Sequence, residues 1–239
     1  MKWTALKALR KNAGIDIVRA RKNPQIIDFL EMEGVDLVID VGANVGQFGL
    51  GLRNRGYAKR ILSLEPVSDA YTTLAERASN DPLWEAKRLA VGSSSGVMPI
   101  NVSKNTQFSS FQGLTKTAED FDPDAGFKRT ESVSVTTLDE LLSPEDLRSK
   151  ILLKIDTQGY ERHVLDGATN LLRYVRGVLV ELSIIILYQD NWRLHEAVAY
   201  MYERGFVLAQ VHPVNIHFKK PYAATEFDCL FRPTESGVD

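Results

Sequence analysis

A single cysteine, Cys229, stands in 239 residues, so the chain has no intramolecular disulfide framework and no all-cysteine metal cluster. Such thiol usage suits a reducing compartment, and the cytoplasm is the expected location. Long apolar runs are missing too. The longest, residues 177–188 (GVLVELSIIILY), is broken by Glu181 and falls short of the roughly 20 residues that span a bilayer. The N-terminus is positively charged but lacks the continuous apolar core and small-residue cleavage site of a secretory signal. Neither sign of charge is in excess: 29 Lys and Arg face 31 Asp and Glu, a net charge of −2. That balance gives no general drive toward nucleic acid, and none is expected as a partner. His195, His212 and His217 do not fall at zinc-ligand spacing. No G-x-x-x-x-G-K-[ST] loop is present, which argues against a Walker-type NTPase. No repeat or linker divides the chain.

What is present is an alternation of strand-like and helix-like stretches. Residues 36–41 (DLVIDV) form an apolar, β-branched run typical of a buried parallel strand. Residues 47–56 read as a helix stopped by Gly56. Residues 60–66 (RILSLEP) are the next strand, and 67–81 the next helix, with Ser68 the expected N-cap. Residues 85–92 (EAKRLAVG) read as one strand, and 93–131 as a long irregular loop insertion. A strand and short helix are expected over 132–142, a strand, turn and helix over 150–172 with Asp156 ending the strand, a helix over 191–206, and strands at 177–184, 206–211 and 226–233. The pattern implies a largely parallel sheet with helices on both faces, in one domain over 35–239. Residues 1–34 form a basic helical extension, read as an edge helix, a lid, or a surface for peripheral contact with anionic lipid.

In such sheets ligands bind beyond the carboxyl ends of the strands. The first strand ends in Asp40, Gly42, Asn44 and Gly46. Dinucleotide binders carry G-x-G-x-x-G, whose second glycine lets the backbone meet a pyrophosphate; here that place is Asn44. D-x-G-x-N-x-G instead resembles the first motif of class I S-adenosylmethionine-dependent methyltransferases. Asp40 would act on the turn or, through water, on the ligand's ammonium group. Glu65, followed by Pro66, ends the second strand nineteen residues beyond Gly46. Its carboxylate suits the two hydroxyls of a ribose, in either ligand class. Ala90 and Val91 would then lie beside the adenine.

The block K-I-D-T-Q-G-Y-E (154–161), the V-E pair at 180–181 and the terminal D-C-L-F (228–231) resemble the FkbM-type methyltransferase family across residues 35–233. The resemblance implies a class I, Rossmann-like sheet of seven mostly parallel strands, the last antiparallel. It further implies S-adenosylmethionine-dependent O-methylation of a hydroxyl on a sugar, glycolipid or polyketide-type product. The expected partner is therefore a small-molecule or glycolipid acceptor, and self-association into a homo-oligomer is compatible with it. Asp156 should face the reacting methyl and doubles as a cofactor residue. Asp156, Glu181 and His163 are the candidate bases; Glu181 interrupts an apolar strand, where a carboxylate is costly unless paired or exposed at a cleft. Glu161 is expected to brace the turn. Gln107, Ser109 and Ser110 are candidate cofactor or acceptor contacts, and Tyr188 and Trp192 a candidate acceptor platform. A divalent ion such as magnesium would suit a cleft of carboxylates, yet no tight ligand cluster supports one. Two other functions remain open at this point: an NAD-dependent oxidoreductase, and an inactive methyltransferase-fold binding subunit.

Overall fold

Five apolar-flanked residues, Leu37–Val41, form β1, buried along its whole length. In the computed structural model, residues 25–121, 124–190, 192–216 and 223–234 are described. Residues 1–24 of the basic helical extension expected over 1–34, and His217, lie outside them. Helix α1 (Ile26–Met32) seats Leu30 in the core. After β1 come α2 (Gln47–Asn54), β2 (Arg60–Leu64), α3 (Ser68–Ala78) and β3 (Trp84–Lys87). Then follow β4 (Ala90–Val91), β5 (Gly96–Ser103), α4 (Lys116–Phe121), β6 (Phe127–Thr136) and α5 (Leu138–Leu141). The chain continues through β7 (Ile151–Ile155), α6 (Glu161–Asp166), β8 (Val175–Ser183), α7 (Leu194–Glu203), β9 (Phe206–Ile216) and β10 (Ala224–Pro233).

Seven strands make one sheet in the order β3-β2-β1-β7-β8-β10-β9. All neighbours are parallel except β10, which runs antiparallel to β8 and β9. Both faces are covered. One carries Ile39, Leu153, Val178 and Met201, the other Val38, Leu152, Leu179 and Trp84. Each such side chain is worth about 1.5–3 kcal/mol on burial, so the apolar runs commit the centre of the sheet. Among the described residues no helix is long and apolar enough to cross a membrane.

Three expectations need correction. Residues 85–92 are not one strand: β3 stays in the large sheet, while β4 pairs with β6 in a second, three-stranded sheet, β4-β6-β5. That second sheet, with Ile100, Val102, Val133 and Val135 in its own apolar cluster, also takes residues 96–103 and 127–131 out of the irregular loop expected over 93–131. Polar residues alternating with apolar ones made β5 and β6 read as loop. Ser68 is not an N-cap either. The cap is Val67, and the Ser68 hydroxyl donates to Glu131 at 2.8 Å, tying α3 to β6.

Strand register places the charges. Asp40 on β1 pairs with Lys154 on β7, and Glu181 on β8 pairs with Asp228 on β10, which pairs with His212 on β9. The carboxyl ends of adjacent strands thus collect acids and one buried lysine.

Candidate active site

A cleft of about 460 Å³ opens beyond the carboxyl ends of β1, β2, β7 and β8, under the segment 106–111. Its first wall is the turn after β1. Gly42 has φ 76°, and a Cβ there would lie 1.8 Å from the backbone oxygen of Asp156, so the two turns meet only because residue 42 is glycine. Asn44 adopts φ 48° without being glycine. Its N–H donates to Glu65 Oε2 at 2.8 Å, and the Val67 N–H donates to Oε1 at 2.8 Å. Glu65 is therefore held rigidly, with one lone pair of each oxygen still available. Burial pushes its carboxyl up to about 7, against the pull of those two N–H groups.

The second wall is the turn after β7. Lys154 Nζ lies 3.2 Å from both Asp40 Oδ1 and Asp156 Oδ2. Burial opposes its charge, but the two carboxylates hold the ammonium firmly protonated. Asp40, fully buried, has its carboxyl raised by desolvation despite Lys154. Asp156 is held below the ordinary carboxylate range: burial works against the anion, and Lys154, Glu181 and Gln158 outweigh it. Glu181 goes the other way, pushed well up by burial and by the Asp156 anion to which it donates. The two form a carboxylic acid–carboxylate pair, ionised at Asp156. Asp228, facing them from β10, is raised to about 6, first by burial and then by Asp156.

Of the residues expected at the site, Gly42, Asn44, Glu65, Pro66, Ala90, Val91, Gln107, Ser109, Asp156 and Glu181 line this cleft. Six do not. Asp40 lies behind Lys154 and neutralises it. Gly46 lacks a side chain for packing: a Cβ there would meet Leu74 at 2.9 Å and Trp84 at 3.2 Å. Ser110 is buried and donates to the Gln158 backbone oxygen at 2.6 Å. Tyr188, 1% exposed, donates its hydroxyl to Gln158 Oε1 at 2.8 Å and so supports the site from behind. Trp192 is a core residue, edge-on to Tyr200 with centroids 5.1 Å apart, and offers no platform. His163 stacks on Tyr160 at 4.1 Å, away from the cleft lining, with a buried and unpartnered Nδ1. Glu161 does brace its turn, accepting from the N–H groups of Thr157 and Gly159.

Lys154, Gln158, Glu226 and Asp228 were missed. A lysine inside the buried run ILLKI carries the same signal as Glu181, a charge that must be paired. Glu226 and Asp228, two apart on one strand, share a face by alternation. Nothing in the sequence marks Gln158.

The sheet order, the glycine turn after β1 and the acid at the end of β2 define a class I methyltransferase. The chain belongs to the FkbM family: the family described as "Methyltransferase FkbM domain" matches residues 40–208. It is similar to the methyltransferase sdnD of Sordaria araneosa, 28% identical over 184 aligned positions, covering 64% of this chain and 69% of that protein. It is also similar to the hexuronic acid methyltransferase AglP of Haloferax volcanii, 26% identical over 155 positions, covering 64% of this chain and 58% of that protein. Among solved structures, Streptococcus pneumoniae Sp1610, in complex with S-adenosyl-L-methionine, aligns with a TM-score of 0.49 at 10% identity over 89% of this chain and 75% of that one.

By family the protein is thus a methyltransferase, and the cleft fits S-adenosylmethionine as its methyl donor. The half-satisfied Glu65 carboxylate suits ribose hydroxyls, and Ala90, Val91, Ile100 and Phe111 make an apolar wall for a base. Even with Glu181 protonated, four lining acids, Glu65, Asp156, Glu226 and Asp228, outnumber the lining cations Lys154 and Arg55. That balance favours a ligand with positive charge over a pyrophosphate, and with the family it sets the oxidoreductase reading aside.

Proposed function

We propose that the protein methylates a hydroxyl group of a neutral, polyhydroxylated acceptor, a sugar, glycolipid or polyketide-type product. The observation that carries this reading is the carboxylic acid–carboxylate pair of Asp156 and Glu181, with Asp228 opposite, at the cleft's inner end. Carboxylates are acceptors for hydroxyl hydrogens. A carboxylated acceptor would meet repulsion there, so the hexuronic acid in one relative's name is not carried over.

S-adenosylmethionine, when bound, supplies an electrophilic methyl carbon and leaves as a neutral thioether. The chain's own part is to align the acceptor, since in-line displacement gains most from positioning. Asp156, ionised and acidic, orients the acceptor hydroxyl. Asp228, with its carboxyl near 6, is ionised at neutral pH and basic enough to take the hydroxyl proton. Losing that proton to Asp228 would leave the hydroxyl oxygen the nucleophile for the donor's methyl group. A cytoplasmic setting agrees with the free, buried thiol of Cys229.

The test incubates the purified protein and trideuteromethyl S-adenosylmethionine with polar and glycolipid extracts, read by mass spectrometry. Label on an oxygen, lost in Asp228→Asn, is the expected result. Label on nitrogen or carbon overturns O-methylation. Binding of S-adenosylhomocysteine by calorimetry with no labelled product in any extract marks an inactive binding subunit instead.

A further inference from the structure

Two non-glycine residues among those described have positive φ: Asn44 at 48° and Gln158 at 55°. The first belongs to the glycine turn. The second stands in the middle of T-Q-G-Y, and its side chain has no part in holding a strand or helix. A left-handed backbone at glutamine is strained and persists where surrounding bonds over-determine it.

Those bonds are present. The Gln158 Nε2 donates to Asp156 Oδ1 at 2.9 Å and approaches Glu181 Oε2 at 3.5 Å. Its Oε1 accepts from the Tyr188 hydroxyl at 2.8 Å. Its backbone oxygen accepts from Ser110 Oγ at 2.6 Å. The amide orientation follows from the partners, because the reverse would turn Oε1 toward an ionised carboxylate. Tyr188 is itself fixed: it is fully buried against Gly159, where a Cβ would lie 3.0 Å from the ring.

We propose that Gln158 is a positioning residue: its amide, oriented by Tyr188, holds the Asp156 and Glu181 carboxyls in register and keeps Asp156 the hydrogen-bond acceptor of the pair. An amide N–H₂ can only donate, so whichever carboxyl it grips closely must accept. Ser110 extends the device, connecting the segment over the cleft to the same residue. The inference rests on the reading of the Asp156–Glu181 pair as the acceptor-facing pair.

Other charges also act on the pair, Lys154 on β7, Asp40 on β1, Glu161 on α6, and Glu226 and Asp228 on β10, while Glu65 after β2 acts on Asp40 and Lys154 and His212 on β9 acts on Asp228. The test must therefore move Gln158 alone. Protein labelled with ¹³C at the Asp and Glu carboxyls is titrated by NMR without cofactor or acceptor, with Asp156→Asn and Glu181→Gln assigning the two resonances. Gln158→Met removes the donors but keeps the shape. Gln158→Gly removes the amide and relieves the strain. In both, the Asp156 midpoint should rise by about one to two pH units, the equivalent of one hydrogen bond to a charged group. Tyr188→Phe should move it the same way by less.

An unmoved Asp156 midpoint in both Gln158 variants overturns the proposal. So does recovery in Gln158→Gly alone, which would mean that only the backbone conformation matters. Calorimetry with S-adenosylhomocysteine should show the same affinity for Gln158→Met as for the wild type. A tenfold loss there makes Gln158 a support of the cofactor pocket and overturns the proposal as well. Failure of the wild type to bind would strike the methyl-transfer reading, while the titration would still decide the role of Gln158.

Discussion

The turns after β1 and β7 are built alike and do different things. Each follows a central buried strand, bends through a left-handed non-glycine residue and leads into a helix. At the first turn the strained residue, Asn44, is held through its backbone N–H by Glu65. At the second, Gln158 is held through its side chain, by groups that titrate. On the proposed reading the first is a rigid seat for the methyl donor, made of backbone and one carboxylate. The second is a set of coupled charges. Where a site only has to hold, main chain suffices; where protons are to move, the chain places side chains whose charge depends on each other.

The contrast breaks most completely at the contact between the turns. Gly42→Ala drives a Cβ into the Asp156 carbonyl and forces alanine to φ 76°. No flexible side chain can yield, since both sides are backbone. Loss of about 3–5 kcal/mol is expected, close to 10 °C in melting temperature, together with loss of S-adenosylhomocysteine binding. Calorimetry and thermal unfolding check it; a stable, binding variant would mean that the turns do not touch.

Next is the lysine they share. Lys154→Met leaves Asp40 and Asp156 without their cation, one of them fully buried. Breaking a buried pair in this way costs about 3–5 kcal/mol. Asp156→Asn removes a partly exposed member and leaves Lys154 paired with Asp40, so stability should change by under about 1 kcal/mol. Its labelled-methyl transfer, however, should fall about a hundredfold. Denaturant melts and product counting separate the two. Equal stability losses would erase the distinction between a structural and a chemical carboxylate on one lysine.

The same difference decides what could be read in advance. Strand–helix alternation, the glycine turn, Glu65 and Asp156 were legible because each sits in a local pattern with a physical period. The second sheet was not, because β5 and β6 are half-exposed and mix polar with apolar residues. Gly46 was read as a ligand contact, yet its missing side chain serves Trp84, which lies far along the chain on β3. Asp228 and Gln158 become site residues only through register and through one hydroxyl from Tyr188. Those are tertiary facts, and no spacing encodes them.

The passive seat still has one titrating member. Glu65 is raised from 4.5 to about 7 by burial, so the folded protein takes up a proton there between those values. That contribution to stability is present below pH 4.5 and lost as pH rises through 7; Glu161, also raised to about 7, shares the window. Cofactor affinity should run the opposite way, rising as Glu65 ionises and gains acceptor strength for the ribose. Calorimetry with S-adenosylhomocysteine from pH 5.5 to 8.5, about 1.5 units either side of that carboxyl, should show it. Glu65→Gln should flatten the rise and weaken binding about tenfold at pH 8, a loss of about 1.4 kcal/mol. A wild-type affinity independent of pH would show Glu65 already ionised throughout.

The smallest effect belongs to His163, the one candidate base that does not line the cleft. Its ring lies parallel to Tyr160 at 4.1 Å and its Nδ1 is buried without a partner, so the position is one of stacking. His163→Phe keeps an aromatic ring on Tyr160 and removes the unpaired nitrogen. Stability should shift by no more than about 0.5 kcal/mol and methyl transfer by less than about twofold. The pH profile of transfer should keep its shape, because the groups that set it lie at the end of β7, β8 and β10. A lost acid limb in this variant would move the base from the carboxylates to the histidine, and the division between a holding turn and a proton-moving turn would have to be redrawn around α6.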